Sequence, residues 1–362
     1  MAGVVGEIAG AVRGVDALDQ TALDTLLRTL DGTPDLGRLG ANATLGVSIA
    51  AALAAAAARG IALYEAVADD GAAPLPPLPM INIISGGAHS GRSIDVQDFL
   101  AVPLGAGSFT AAIEWASRVR AGTADELTSR GLPVALVADE GGLGPLLATN
   151  RAGLDVLVAG IERAGLRPGE DVGIAIDVAA TQFVRADGRY VLAAENRVLT
   201  ARELVAELAD WCATYPIVSV EDALAEDDWP AWRAGTRRLA GRQLLGDDLF
   251  VTNPERLERG IREGVANAGL VKPNQIGTLD TARAVIRRAQ AAGYATVLSA
   301  RSGETEDDWL ADLAVGWRTG QIKVGSTTRS ERTAKWNRLL RLETELGSRA
   351  EYAGRGALRS AT

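Results

Sequence analysis

The stretch Ile217-Val-Ser-Val-Glu-Asp222 decides the fold class, because it is a short apolar run that ends in two acids. Runs of this kind recur about every 25 residues, which is the spacing of a strand followed by a helix. After Glu221, the polar or terminal positions of these runs are Asp247, Lys272, Ala300 and Lys323. Repeated βα units of this kind predict an α/β barrel with its functional site on the C-terminal face. A doubly wound open sheet is the structural alternative.

Two earlier runs extend the same pattern toward the N-terminus. Residues 134–140 and 174–177 are apolar segments that end in acids, and both are predicted to be strands. Between the later runs lie amphipathic segments, such as residues 280–291, that are predicted to be helices.

The first 75 residues form a separate helical segment in this interpretation. Leu18-Asp19-Gln20-Thr21 is a helix start signal, and Gly40-Ala-Asn-Ala-Thr-Leu45 opens an Ala-rich helix. Residues 71–79 contain four prolines and are the best linker candidate. The predicted organisation is therefore a helical domain over 1–75 and a barrel domain over 76–362.

Composition excludes several classes of partner. The formal net charge is −9, so a nucleic-acid backbone is not the expected partner. The Ala-rich run at 50–58 is far shorter than the roughly 20 residues of a membrane span, and no membrane partner is expected. The N-terminus carries charged residues where a signal peptide has its apolar core. A single cysteine fits a reducing compartment, and a cytoplasmic location is expected.

Residues able to transfer protons are scarce, and they lie at candidate site positions. Of the 37 Lys and Arg residues only Lys272, Lys323 and Lys335 are lysines, and His89 is the single histidine. Arginine stays protonated, whereas a buried lysine near other cations can lose its proton and act as a base. Lys272 and Lys323 both follow strand-like runs, and His89 lies in a glycine-rich loop.

The motifs taken in chain order resemble the enolase family over most of the sequence. They include Asp139-Glu-Gly-Gly142, Val220-Glu-Asp222, Val271-Lys-Pro-Asn-Gln-Ile-Gly277, Arg301-Ser-Gly-Glu304 and Gly320-Gln-Ile-Lys-Val-Gly325. The resemblance implies an enolase-type (β/α)8 barrel with a reduced, mainly helical N-terminal capping domain. It also implies a small phosphorylated or phosphonate carboxylate as substrate, and a possible homodimer.

The resemblance assigns chemical roles to particular residues. Asp177, Glu221 and Asp247 match the family's Mg²⁺ ligands, and carboxylate oxygens suit that ion. Lys272 matches the general base that removes the proton α to a carboxylate, and Glu140 matches the acid that assists loss of the hydroxyl group. For Lys272 to act near neutral pH, its pKa must fall well below 10.4, and Mg²⁺ and Lys323 are expected to lower it.

Six further residues match substrate-binding positions of the family. They are His89, Gln97, Asp98, Arg301, Ser302 and Lys323. A guanidinium group suits phosphate oxygens, so Arg301 and Ser302 are assigned to the phosphate group. Lys335 lies on the last amphipathic segment and is predicted to be a surface or packing residue.

Three departures from the family pattern bear on function. The chain begins near the family's capping-domain helices, so the Ser-Gly-Ala-Ser-Thr lid loop that supplies a ligand to a second Mg²⁺ has no counterpart. Ala300 replaces a phosphate-site histidine, and Asp98 shortens the acid that partners Glu140. These changes favour a phosphonate-pathway branch of the family, of which carboxyphosphonoenolpyruvate synthases are an example. Ordinary phosphopyruvate hydratase and a non-catalytic enolase-like binding protein are the alternatives.

Overall fold

A closed eight-stranded barrel forms the centre of the computed structural model, which describes residues 3–69 and 71–358. Around the barrel the strands follow the order β1 (Leu78–Ser85), β10 (Gly320–Lys323), β9 (Ala295–Ser299), β8 (Ala268–Val271), β7 (Gln243–Gly246), β6 (Ile217–Glu221), β3 (Gly173–Asp177) and β2 (Asp98–Val102). A separate hairpin pairs β4 (Tyr190–Leu192) with β5 (Arg197–Leu199). The predicted α/β barrel is therefore confirmed, and the open sheet is wrong.

One strand departs from the uniform βα repeat. β2 runs antiparallel to both of its neighbours, β1 and β3, whereas the other barrel pairings are parallel. Residues 86–97 between β1 and β2 hold one short 3-10 turn, Gly87–Ser90. Since this connection contains no crossover helix, the chain returns beside β1 in the opposite direction.

The predicted strand at residues 134–140 is wrong. This segment has no strand; it is a loop with local hydrogen bonds, from Ala138 N to Gly142 O at 2.9 Å and from Gly144 N to Leu136 O at 3.0 Å. The side chain of Leu136 is 53% exposed, so the apolar run does not enter the core. An apolar run alone does not distinguish a buried strand from a loop that lies across the barrel mouth.

The α-helices alternate with the later strands as the spacing predicted. Their bounds are α1 (Ala9–Ala11), α2 (Gln20–Asp31), α3 (Ala41–Arg59), α4 (Leu63–Ala66), α5 (Phe109–Ser129), α6 (Asn150–Arg163), α7 (Ala201–Thr214), α8 (Trp229–Arg238), α9 (Pro254–Glu263), α10 (Pro273–Ile276), α11 (Leu279–Ala291), α12 (Trp309–Gly316) and α13 (Ser330–Leu346). α11 begins within one residue of its predicted start and ends at the predicted residue.

The N-terminal helices pack on the barrel domain through a shared hydrophobic core, to which Leu45, Ile49 and Leu63 contribute, and through specific polar contacts. Asp19 caps α2 by accepting a hydrogen bond from Ala22 N, which confirms that predicted helix start. Asp24 on α2 is buried and accepts a 2.8 Å hydrogen bond from Asp280 N at the start of α11. A small apolar cluster of Ile8, Leu23 and Leu27 stabilises this helical region.

Helix α3 is long and apolar enough, by length and composition, to cross a membrane. It is the one such helix in the described part of the chain, and a third of its apolar window is buried. Core helices of soluble proteins pass the same test, so this finding is weak evidence for a membrane span.

The barrel interior is filled by side chains, so the site lies on the rim rather than in a pore. Leu78, Met80, Leu100, Leu270 and Val297 belong to this interior cluster. Gln243 and Gln321 exchange two 2.9 Å hydrogen bonds inside it, which satisfies their buried amides.

Candidate active site

The polar residues predicted from the strand ends lie on one rim of the barrel. Asp177, Glu221 and Lys323 are the last residues of β3, β6 and β10, and Asp247 and Lys272 directly follow β7 and β8. Because the carboxyl ends of these parallel strands share one face, all of these side chains except that of Glu221 line a common cavity of about 320 Å³. Its lining includes Asp177, Asp247, Lys272 and Lys323, together with His89, Gln97, Glu140, Arg301 and Ser302.

Lys323 joins two of the strand-end acids. Its Nζ donates hydrogen bonds of 2.7 Å to Asp177 Oδ2 and 2.7 Å to Glu221 Oε2. Burial alone lowers the pKa of Lys323, but the charges of Asp177 and Glu221 outweigh burial and raise that pKa well above its usual value. Lys323 therefore stays protonated and presents a fixed positive charge to the cavity.

Lys272 pairs with the third acid, and this pairing opposes the expected lowering of its pKa. Its Nζ donates a hydrogen bond to Asp247 Oδ2. Burial and the charge of Lys323 lower the pKa of Lys272, but the adjacent Asp247 outweighs them and raises it. The expectation that Lys323 would depress the pKa omitted this ion pair, which dominates because its atoms are in direct contact.

Glu140 also lines the cavity, where it belongs to a chain of polar contacts with Ser302 and His89. Ser302 Oγ donates to Glu140 Oε1 at 3.1 Å and lies 3.2 Å from His89 Nε2. The other ring nitrogen, His89 Nδ1, is 3.3 Å from Asp98 Oδ2. Asp98 does not line the cavity, so it contacts the imidazole from behind. The serine and the histidine thus connect the two acids.

The two glycines after Glu140 allow this close packing. A Cβ at Gly142 would lie 2.5 Å from Ser85 Oγ and 2.6 Å from Asn82 Oδ1, the side chains that hold Asp98. Gly141 has a φ of +87°, and a Cβ there would lie 2.7 Å from the Thr328 carbonyl oxygen. The sequence Glu-Gly-Gly is required here by backbone geometry and close approach.

The environment of His89 favours its protonated form. Burial lowers the pKa of the imidazole, but the charges of Asp98, Glu140 and Asp139 outweigh burial and raise the pKa from 6.5 to about 9. The pairing of protonated His89 with these acids therefore stabilises the folded state fully below pH 6.5, and this stabilisation is lost as the pH rises through 9.

Because the chain has one histidine, this pKa can be measured directly. We expect a ¹⁵N NMR titration of the imidazole to give a pKa of about 9. Asp98→Asn removes the nearest negative charge and should lower the pKa, whereas Asp187→Asn, in the exposed turn before β4, should leave it unchanged. A wild-type value at or below 6.5 would contradict the described contacts.

The remaining predicted site residues surround the same cavity. Gln97 Nε2 donates to Asp177 Oδ2 at 3.0 Å, so the amide is held against a strand-end acid. The Arg301 side chain is exposed and has no ion pair among the described residues. Ala300 lines the cavity between Ser299 and Arg301, so a larger side chain at this position would reduce the cavity volume.

Sequence reasoning missed several residues that position the site. Asp222 accepts the backbone N–H groups of Asp247 at 3.0 Å and Asp248 at 2.7 Å, which fixes the loop after β7. The buried Arg332 donates to the carbonyl oxygens of Arg301 at 2.7 Å and Ser302 at 2.5 Å. Both residues stand in segments that resemble the family, Val220-Glu-Asp222 and Arg329-Ser-Glu-Arg332, but the sequence analysis gave neither a role.

Lys335 is a packing residue, as predicted, but it does not lie on the surface. Its side chain is buried, and Nζ donates to the carbonyl oxygens of Thr305 at 2.5 Å and Glu331 at 2.9 Å. It therefore holds the loop after β9 and takes no part in the cavity.

Two groups of side chains in the described residues are close enough to hold a metal ion. They are Asp222, Asp247 and Asp248, and His89, Asp98 and Glu140. The predicted trio of Asp177, Glu221 and Asp247 is instead bridged by the two lysines. Glu221 Oε1 is buried and has no hydrogen-bond partner among the described residues. A buried carboxylate oxygen without a donor fits a cation, because it is otherwise costly.

The barrel and its rim define a class of enzyme with lysine, carboxylate and cation-binding groups at the strand ends. The family profile "Enolase, C-terminal TIM barrel domain" matches residues 74–361, and "Enolase, N-terminal domain" matches residues 1–67. A relative from Acidothermus cellulolyticus, described as "Enolase", is 49% identical over 352 residues, or 97% of this chain and 81% of the relative. The chain belongs to the enolase family, and it is accordingly an enzyme of the carbon–oxygen lyase class.

Proposed function

We propose that this chain catalyses the ordinary enolase reaction, the Mg²⁺-dependent dehydration of 2-phosphoglycerate to phosphoenolpyruvate. The observation that carries the proposal is that Lys272 and Glu140 line the same cavity. The 49% identity to a relative described as "Enolase" supports this reaction over the phosphonate-pathway interpretation. The function is tested by product formation from 2-phosphoglycerate, as described at the end of the Discussion.

We propose that Asp177, Glu221 and Asp247 hold the Mg²⁺ ion. Their donors are carboxylate oxygens on three adjacent strands, and the orphaned Glu221 Oε1 provides a free ligand atom. The ion would stabilise negative charge that develops on the substrate carboxylate. Burial, together with the charge of Asp177, raises the pKa of Glu221 well above its usual value, and a cation would offset both effects.

Mg²⁺ binding tests this ligand assignment. Asp247→Ala should weaken Mg²⁺ binding by about tenfold or more in isothermal titration, since one charged ligand is lost. Asp187→Ala, in the exposed turn beside β4, is the matched control and should bind as the wild type does. Unchanged affinity in Asp247→Ala would remove that residue from the site.

The two lysines have different roles in this proposal. Lys272 takes the proton α to the carboxylate, which requires its neutral form. Its ion pair with Asp247 keeps it protonated, and engagement of Asp247 by a cation would weaken that pair. Lys323 keeps its proton between Asp177 and Glu221 and stabilises the negative charge of the substrate.

Glu140 donates the proton that accompanies loss of the hydroxyl group. Ser302 donates a hydrogen bond to the Glu140 carboxyl group and also contacts His89 Nε2. Asp98 contacts the other ring nitrogen of His89 and so orients the imidazole rather than the substrate. Gln97 and Arg301 line the remaining sides of the cavity, with Arg301 and Ser302 toward the phosphate group.

Ala300 is the residue that separates the ordinary reaction from the phosphonate interpretation. In an ordinary enolase, Ala300→His adds a hydrogen-bond donor beside the phosphate group and should raise 2-phosphoglycerate turnover severalfold. Ala300→Ser is the control for a small polar side chain. A loss of turnover with intact Mg²⁺ binding would instead indicate that the natural substrate fills this space with a larger phosphorus group.

We also propose that the chain divides into a helical domain at 1–75 and a catalytic barrel at 76–362. The proline-rich stretch at 71–79 and the two separately matched family domains support this division.

A further inference from the structure

The β9 loop, residues 301–306, supplies Arg301 and Ser302 to the cavity wall but has little structure of its own. It contains no helix or strand, and within the described chain its backbone makes no hydrogen bond to another backbone group. All of its residues except Glu304 are exposed. A segment of this kind keeps one conformation only when side chains from elsewhere hold its polar groups. The residues that hold the β9 loop therefore determine where its two cavity residues lie.

Two buried cations of α13 hold the β9 loop. Arg332 is completely buried, and its guanidinium donates hydrogen bonds to the carbonyl oxygens of Arg301 at 2.7 Å and Ser302 at 2.5 Å. Lys335 is buried one helical turn later, and its Nζ lies 3.2 Å from Glu304 Oε2. Because the guanidinium binds two successive carbonyl groups, it fixes the orientation of both peptide units.

The glycine after β10 leaves room for the Arg332 side chain. Gly325 has a φ of +100°, and a Cβ there would lie 2.7 Å from Arg332 Cδ and 2.8 Å from the Glu140 carbonyl oxygen. The next residue, Ser326, donates its backbone N–H to the same Glu140 carbonyl oxygen at 2.9 Å. Arg332 therefore packs where the backbone of Glu140 and the β9 loop come together, and only glycine fits beside it.

Ser302 connects the buried guanidinium to the groups that face the cavity. Its carbonyl oxygen accepts from Arg332, while its hydroxyl donates to Glu140 Oε1 at 3.1 Å and lies 3.2 Å from His89 Nε2. A backbone shift of about 1 Å would take the hydroxyl out of hydrogen-bond range of Glu140. A misplacement of roughly that size can cost about 10²-fold in rate, even when the mutated residue is far from the chemistry.

We propose that Arg332 is a positioning residue, which holds the backbone of Arg301 and Ser302 so that their side chains meet the phosphate group of the substrate. This role rests on the proposed assignment of those two residues to the phosphate group. Lys335 holds the far end of the same loop. Neither cation lines the cavity, so both act through the β9 loop and not on the substrate. Because the loop is already ordered, substrate binding does not have to supply the free energy of ordering it.

The first test uses ligand-free protein, so it does not depend on the proposed reaction. His89 is the single histidine, and its Nε2 resonance in ¹⁵N NMR reports the position of Ser302 Oγ, which lies 3.2 Å away. Arg332→Met should shift this resonance in the same direction as Ser302→Ala does. Arg338→Met is the matched control and should leave it unchanged, because Arg338 on the same helix pairs with Asp312 at 2.7 Å and not with the loop. A folded Arg332→Met variant with the wild-type resonance would overturn the proposal.

Arg332→Lys keeps the test decisive if Arg332→Met does not fold. Lysine retains the buried positive charge but replaces the guanidinium fork with a single nitrogen. It should therefore hold the two carbonyl groups less well and shift the His89 resonance in the same direction by a smaller amount. Circular dichroism identifies the folded variants. An unchanged resonance in folded Arg332→Lys, together with unchanged kinetics, would also refute the role.

The second test separates KM from kcat for 2-phosphoglycerate in the presence of Mg²⁺. Arg332→Met should raise KM by about tenfold or more, because contacts with the phosphate group stabilise both the bound substrate and the transition state. Arg332→Lys should recover part of that loss, and Arg338→Met should keep the wild-type KM. A loss confined to kcat, with KM unchanged, would contradict the positioning role. A wild-type protein that does not turn over 2-phosphoglycerate would refute the proposed function instead, while the His89 resonance would still show whether Arg332 positions Ser302.

Discussion

Replacing Lys272 with alanine is expected to lower turnover of 2-phosphoglycerate by about a thousandfold and to abolish exchange of the α-proton with solvent. Lys272 is the lysine that follows β8, and its Nζ reaches the cavity beside Asp247. Without it, no neutral amine is available to accept the proton. Turnover is measured by steady-state kinetics, and exchange by incorporation of solvent deuterium.

Lys272→Arg separates loss of the base from loss of the ion pair with Asp247. Arginine keeps the positive charge, but its guanidinium does not deprotonate in the working pH range. We therefore expect Lys272→Arg to fail as well. Deuterium exchange at the wild-type rate in either variant would assign the base to another residue.

Replacing Glu140 with glutamine is expected to lower dehydration about 10²- to 10⁴-fold while α-proton exchange continues. The reason is that Glu140 and Lys272, which both line the cavity, act on different protons in the proposed reaction. Exchange in solvent deuterium and product formation are followed in the same sample, so the two steps are separated directly.

Ser302→Ala is the matched control for this separation. It removes the 3.1 Å hydrogen bond to Glu140 Oε1 but leaves the carboxyl group, so a smaller loss of dehydration is expected. Equal losses of exchange and dehydration in Glu140→Gln would show that Glu140 does not act at the hydroxyl group alone.

The barrel could be predicted from the sequence because its signals are local. Each apolar run from Ile217 onward ends at a polar or small residue, and that repeat needs no knowledge of distant contacts. The reversed direction of β2 could not be read in this way, because direction depends on how residues 86–97 connect to it. The loop at 134–140 was mistaken for a strand for a related reason: its exposure is a tertiary property.

The sequence predicted which residues line the candidate site more fully than it predicted their electrostatic interactions. His89, Glu140, Lys272 and Lys323 do line one cavity, but the contact with Asp247 that raises the pKa of Lys272 was not predicted. That direction depends on which carboxylate lies in contact with the amine, and sequence spacing does not give distances of that kind. Asp222 was likewise missed. It accepts hydrogen bonds from backbone N–H groups of the loop after β7, and sequence spacing does not show contacts of this kind.

The central claim is that this cavity dehydrates 2-phosphoglycerate with the help of Mg²⁺. Incubation of the wild-type protein with 2-phosphoglycerate, with and without Mg²⁺, and detection of products by ³¹P NMR tests it most directly. We predict conversion to phosphoenolpyruvate that requires Mg²⁺ and is lost in Lys272→Ala. A folded wild-type protein that binds Mg²⁺ but forms no phosphoenolpyruvate would contradict the claim.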